Sequence, residues 1–221
     1  MADSSTTLAP NSISGESIIK VLRKLTQDKN THALWLNTVS LLEHIGSRKI
    51  LMTQSGEDTS EMILRHATEE ARHALFFKKA ARQVLPEFSF GYEAKNLVRG
   101  TAAKIYFAKL DASVRKELKS EFENHPKFSY LAYLYTTTVI EERAMVVYNL
   151  YDEVLKDSEE NLQLRNLILE EEGHLEEMTN EMSRLDPNFR ERLARLLSKE
   201  SKLFGRFWRQ IEEFSEKPAV F

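Results

Sequence analysis

One pattern constrains this chain more than any other: Glu43, then Glu70-Ala71-Arg72-His73, then Glu141, then Glu171-Glu172-Gly173-His174. Each of these four glutamates sits on the apolar side of a stretch with helical periodicity. Glu43 lies seven residues from both Leu36 and Ile50, and Glu70 shares a stripe with Ile63, Ala67, Ala74 and Phe77. Glu141 keeps company with Leu134, Thr137, Ala144, Met145 and Tyr148. Glu171 lies among Leu164, Leu167, Ile168, Leu175 and Met178. The i, i+3 spacing stacks His73 on Glu70 and His174 on Glu171. Within each half, the first glutamate precedes the Glu-x-x-His by 70 − 43 = 27 or 171 − 141 = 30 residues. That is one long helix, a turn and part of an antiparallel return, which brings all six side chains to one level of an all-α bundle.

The rest of the chain reads as support for that level. Residues 1–14 are rich in Ser and Thr and are expected to form a disordered tail, with 15–221 a single helical domain. Ser14 can cap a short helix carrying Ile18, Ile19, Leu22 and Leu25. Four core helices are expected between about residues 31 and 186. The first runs from about Thr31 to Met52, and the second, capped by Asp58 or Ser60, continues to Leu85 before Pro86. The third runs from about Lys127 to Lys156, and the fourth, capped by Ser158, ends near Asp186-Pro187. Between the second and third lies a long connection with its own helix, about Thr101 to Glu123, which lets those two core helices run parallel. A C-terminal helix, about 187–216, joins an aromatic side (Phe189, Phe207, Trp208, Phe214) to a basic stripe of Arg192, Arg195, Lys199, Lys202, Arg206 and Arg209.

Composition removes several alternatives. The chain has no cysteine, so disulfides, thiolate zinc sites, iron–sulfur clusters and a cysteine nucleophile are excluded. A net charge of −3 gives no global attraction to nucleic acid or membrane. The N-terminus has neither the basic start nor the apolar core of a signal peptide, and no apolar run is long enough to span a bilayer. A cytoplasmic location is the expectation.

The two halves also look alike. Leu36-Asn-Thr-Val-Ser-Leu-Leu-Glu43 lies over Leu134-Tyr-Thr-Thr-Thr-Val-Ile-Glu141, with Leu, Thr and Glu coinciding. Their offset is 141 − 43 = 98, and that of the Glu-x-x-His motifs is 171 − 70 = 101. The alignment selects Glu141 over its neighbour Glu142 as the inward carboxylate. By contrast Glu69, next to Arg65 and Arg72, has the profile of a surface residue. Four carboxylates in an apolar bundle would cost several kcal/mol each if left unpaired. Two divalent cations balance their charge, and two imidazoles complete a donor set suited to iron or manganese.

On Glu43, Glu70-x-x-His73, Glu141 and Glu171-x-x-His174, the chain resembles the ferritin-like di-iron carboxylate superfamily over about residues 31–186. The resemblance implies a ferritin-like four-helix bundle with one long crossover, flanked here by additional N- and C-terminal helices. It implies two metal ions, iron or else manganese, held by those six residues and reacting with dioxygen or peroxide. The segment Ile140-Glu-Glu-Arg-Ala144 is also similar to a short segment of the di-iron tRNA hydroxylases, in which the first Glu is a ligand. The expected activity is that of a di-iron oxidase or hydroxylase. Glu43, Glu141 and Thr137 are the expected catalytic residues: the carboxylates of the site shift between bridging and terminal modes, and Thr137, one turn before Glu141, is a hydrogen-bond donor to bound oxygen. A ferroxidase or peroxide scavenger, and a metal-stabilised interaction protein, are the alternatives. An external electron donor is expected, since no nucleotide fingerprint or cysteine cluster is present. A homodimer through the C-terminal helix would cover its aromatic side, and the basic stripe would suit RNA phosphates.

Overall fold

The computed structural model describes residues 13–53, 59–87, 91–157 and 162–217. Among these residues the chain is all-helical: α1 (Gly15–Gln27), α2 (Lys29–Thr53), α3 (Glu61–Val84), α4 (Gly100–Phe122), α5 (Phe128–Lys156), α6 (Arg165–Leu185) and α7 (Phe189–Glu216). A short 3-10 turn, Ala94–Asn96, precedes α4.

The helix starts follow local chemistry. Ser14 accepts from the Ser17 backbone N–H at 3.2 Å, so the tail expected over 1–14 gives way to structure at its last residue; residues 1–12 lie outside the described residues. Asp28 accepts from the Thr31 N–H at 2.9 Å, and the Thr31 hydroxyl donates back to Leu25 O at 2.9 Å, pinning the α1–α2 corner. Of the two caps considered for α3, Ser60 accepts from the Ile63 N–H at 3.4 Å; Asp58 lies outside the described residues. For α6 the expectation needs correction. The helix begins at Arg165 with Leu164 at the cap position, so Ser158, which itself lies outside the described residues, does not cap it.

The helix directions can be read from side-chain partners. Ser40 Oγ donates to Ala74 O at 2.6 Å and Ser47 Oγ to Ala67 O at 2.7 Å, so α2 and α3 are antiparallel and closely apposed. Gly46 completes this small-residue seam, since a Cβ there would stand 3.2 Å from Glu70 Oε2. Arg65 with Glu177 and Arg72 with Glu170 make α3 antiparallel to α6. His66 with Tyr133, and Phe77 against Tyr148, make α3 parallel to α5. The long connection that permits this contains α4, which packs on α5 and α7.

Among the described residues, the one non-glycine residue with positive φ stands at the start of α4. Arg99 holds a left-handed backbone (φ 53°), while its Nε donates to Gln210 O at 3.2 Å. A side chain on the next residue, Gly100, would displace Leu97, since its Cβ would stand 2.3 Å from Leu97 Cδ1 and 3.0 Å from Leu97 Cβ. At the other corner, Asp186 is fully buried. It accepts from Tyr135 Oη at 2.6 Å, Arg192 Nε at 2.7 Å and the Asn188 N–H at 2.9 Å, fixing the α6–α7 turn.

The aromatic side of α7 is covered within the chain. Trp208 and Phe204 stack at 5.3 Å, Trp35 of α2 meets Trp208 edge-on at 5.9 Å, and Tyr106 of α4 stacks on Phe207 at 5.4 Å. Half of the basic stripe is likewise engaged. Arg192 pairs with Asp186 and Glu121, and Arg195 and Lys199 both pair with Glu117 of α4. No described helix is long and apolar enough to cross a membrane.

Candidate metal centre

The six residues singled out in the sequence converge at mid-height between α2, α3, α5 and α6. Glu43, Glu70, His73, Glu141, Glu171 and His174 are all buried, with relative exposures between 1% and 7%. The α2–α3 seam brings Glu43 beside Glu70, and the antiparallel α3–α6 pair sets the two Glu-x-x-His motifs face to face. Glu141, not the exposed Glu142, points into the cluster.

Their donor atoms form two groups, each within 4.8 Å: Glu43, Glu70, His73 and Glu171; and His66, Glu70, Glu141 and His174. Glu70 belongs to both. Glu171 also reaches both histidines, with Oε1 3.0 Å from His73 Nδ1 and Oε2 3.3 Å from His174 Nδ1. Glu70 and Glu171 thus each reach residues of both groups, with Glu43 and His73 on one side and Glu141 and His174 on the other.

His66 is the member that sequence reading missed. It is 2% exposed, with Nε2 2.6 Å from Glu141 Oε1 and 3.4 Å from Glu70 Oε1, and Nδ1 2.7 Å from the Tyr133 hydroxyl. Its signal was available: it stands four residues before Glu70, on the same face as Ile63 and Ala67.

The surroundings repeat the internal symmetry. His73 donates from Nε2 to Glu170 Oε2 at 2.8 Å, and His174 from Nε2 to Glu69 Oε2 at 2.8 Å. Each histidine turns Nδ1 inward while its outer N–H is held by the glutamate that precedes the opposite motif. Outer partners of this kind fix ring orientation and raise the basicity of a ligating imidazole. Glu69 and Glu170 are therefore half-buried partners of the site. The surface reading of Glu69 fails because a long side chain about 100° off the core face still reaches the neighbouring helix.

The electrostatics are those of a site short of cations. Burial, then the charge of Glu171, pushes the Glu43 carboxyl up to about 7. Burial, then Glu171, Glu43 and Glu141, holds Glu70 well above the usual carboxylate range. Burial also acts on Glu171, but His174 and His73 outweigh it and bring Glu171 down to about 2. Burial would lower both imidazoles. Glu171 and Glu43 instead raise His73 to about 9, and Glu141 and Glu171 raise His174 to about 11. Raised together, Glu43, Glu70, His73 and His174 keep protons within the cluster.

The residues fit a pair of metal ions. Among the described residues no Lys or Arg forms an ion pair with these four carboxylates, whose charge matches that of two divalent cations, and three imidazoles add neutral donors. Three inward atoms, Glu70 Oε1, His73 Nδ1 and Glu141 Oε2, are buried without a well-formed hydrogen bond.

Two further residues bear on the centre. Tyr148 donates its hydroxyl to Glu43 Oε1, and burial followed by Glu43 keeps its own proton firmly in place. Thr137 lies half-buried in the wall of a cavity that also exposes Glu43, Glu70, Glu141 and Glu171. Compared with known proteins, the chain matches no family model, no curated protein and no solved structure.

Proposed function

We propose that α2, α3, α5 and α6 form a ferritin-like bundle with one long crossover, and that the protein is a dinuclear metal oxidase or hydroxylase of an organic substrate. Glu43, Glu70, His73, Glu141, Glu171, His174 and His66 hold the metals, with iron favoured and manganese the alternative by donor type. When bound, the metal pair supplies the reduction of dioxygen or peroxide, with electrons from an external donor.

The observation that carries this reading is a pair of buried donor groups that share Glu70 and lie beside an apolar cavity. Glu70 and Glu171 keep the two groups at a fixed separation. Glu69 and Glu170 lock the imidazoles with Nδ1 inward. Tyr148 holds a proton against Glu43 Oε1 and so restricts how that carboxylate turns. Thr137 faces the space where substrate would meet the centre.

A second reading, ferroxidase or peroxide scavenging, draws on a different opening. A surface depression over His174 is lined by Glu69, Glu170, Glu176 and Glu177; Arg65 pairs with Glu177 and Arg72 with Glu170, which leaves a net acidic approach for cations. Oxygen uptake by anaerobically iron-loaded protein separates the two. Uptake that waits for an organic compound supports the oxidase, and rapid uptake with ferrous iron alone supports the ferroxidase. Absence of bound metal would contradict both.

A further inference from the structure

With the aromatic side of α7 covered within the chain, few large apolar side chains remain on the surface. Seven are exposed among the described residues, and Leu64 and Leu75, at 50% and 51%, are the pair that shares one face of one helix. Thr68 and Ala71 lie between them and are exposed as well. At about 100° per residue, Thr68, Ala71 and Leu75 all stand within about 40° of Leu64 around α3. Their steps of four, three and four residues are those of a helix-pairing seam. Thr68 donates its hydroxyl to Leu64 O of its own helix at 2.8 Å, so that hydroxyl needs no partner from outside. The seam runs along the back of the helix whose buried side carries His66, Glu70 and His73.

The charges beside the seam are arranged about the same point as its apolar residues. Leu64 and Leu75 are centred between Glu69 and Glu70, and so are Thr68 and Ala71. Glu61 and Lys79 are centred on Glu70, and both lie on one flank of the seam, about 60° from Leu64. Both are exposed, and neither forms an ion pair among the described residues. Three further cations near this face are engaged within the chain. Arg65 and Arg72 are held by Glu177 and Glu170 of α6, and Lys78 donates to Asn37 Oδ1 at 3.0 Å while lying over the Tyr92 ring.

Symmetry of this kind selects the occupant. When two copies of α3 meet antiparallel about a two-fold axis at Glu69–Glu70, Leu64 of each copy meets Leu75 of the other, and Thr68 meets Ala71. Each flank then faces the same flank of the second copy, which sets Glu61 against Lys79 twice. A parallel pair would instead place like charges level with each other, Glu61 with Glu61 and Lys79 with Lys79. A foreign partner would need only apolar contact, and would give no reason for charged and apolar residues to share one centre. The small residues at the axis let the two helices approach to about 8–10 Å. Leu169 of α6, 55% exposed, adjoins Glu170 and lines one surface depression with Arg65, so the contact extends beyond α3.

We propose that this face of α3 is the interface of an antiparallel homodimer, closed by two Leu64–Leu75 contacts and two Glu61–Lys79 pairs. A contact of this extent lies at the low end for specific association, so a reversible dimer at micromolar protein is expected. Sedimentation equilibrium of the full-length chain should show it, with helix content and bound metal followed on the same samples. Leu75→Glu buries a carboxylate at two symmetric positions and should weaken the dimer about 100-fold. Lys79→Glu turns two attractive pairs repulsive and should weaken it about tenfold, while E61K/K79E restores it. All these variants should keep the wild-type helix and metal content, because the residues face away from the centre. The chain has no cysteine, so introduced thiols report the register. Leu64→Cys mixed with Leu75→Cys should form an intermolecular disulfide. Leu64→Cys alone should not, because its two thiols stand 75 − 64 = 11 residues, roughly 16 Å, apart along the helices. A monomer at about 100 µM protein, a dimer unmoved by Leu75→Glu, or a charge swap that fails to restore association would overturn the proposal. So would a disulfide formed by Leu64→Cys alone.

Discussion

The protein buries two ionic clusters that look alike by composition and differ in balance. At the α6–α7 corner, Asp186 is surrounded by donors. Arg192, fully buried, pairs with Asp186 and Glu121, and Tyr135 completes the shell. That cluster is satisfied by its own side chains, and its cation is a guanidinium that stays charged at any working pH. The central cluster sets four carboxylates against three imidazoles, and among the described residues no Lys or Arg pairs with those carboxylates. The first arrangement holds two helices together. The second is stable only when positive charge arrives from outside, as protons or as metal.

This contrast can be broken most strongly at the centre itself. The double variant Glu70→Ala, Glu171→Ala removes both bridges and should reduce bound metal from two ions per chain to none, measured by elemental analysis after dialysis. Its metal-free fold should survive, since His73 and His174 lose Glu171 but keep their outer partners Glu170 and Glu69. The corner should respond in the opposite sense. Arg192→Ala leaves Asp186 buried and unpaired, which costs about 3–5 kcal/mol by chemical denaturation, while the metal count stays unchanged in the folded fraction.

Smaller effects sharpen the comparison. Glu170→Gln keeps the shape of the side chain but weakens its hold on His73 Nε2, and should lower metal affinity roughly 10–100-fold with little change in metal-free stability. The pH dependence of melting should reverse on loading. In the metal-free protein, Glu43 is raised to about 7, His73 to about 9 and His174 to about 11. An upward shift means that the folded chain holds the proton more tightly than the unfolded chain. The stability it contributes is full below the unfolded pKa and is lost as pH rises through the folded value. The metal-free Tm should therefore fall from about pH 5 to pH 9. Bound metal needs those same protons removed, so the Tm increase on loading should grow over that interval. A Tm increase that shrinks with rising pH would contradict the assignment. Glu142→Gln, on the exposed neighbour of Glu141, should alter stability by no more than about 0.5 kcal/mol and leave metal binding unchanged.

Much of this was legible in the sequence because helical period and charge conflict so openly. A glutamate seven residues from two core apolar positions, as Glu43 is from Leu36 and Ile50, can only be an inward carboxylate if the helix forms. The bounds of α2, α4 and α5 follow within two residues for the same reason. What escaped detection depended on neighbouring helices. His66 lacks the Glu-x-x-His spacing, and only the approach of Glu141 from α5 makes it part of the centre. Glu69 and Glu170 carry polar neighbours in sequence, yet the α3–α6 crossing turns each toward the other motif's histidine. The fate of the basic stripe was equally invisible, since Glu117 and Glu121 lie some 70–80 residues away. The cavity, too, is a property of four packed helices and has no signature in any one of them.

The central claim is that one chain holds two metal ions through two donor groups bridged by Glu70 and Glu171. Anaerobic titration of the metal-free protein with ferrous iron, read by calorimetry and by elemental analysis, tests it most directly. The account predicts two ions per chain with release of protons. It also predicts that His73→Ala weakens one ion far more than the other, and that His174→Ala does the reverse. A single ion per chain, or none at micromolar iron in a folded protein, would contradict it.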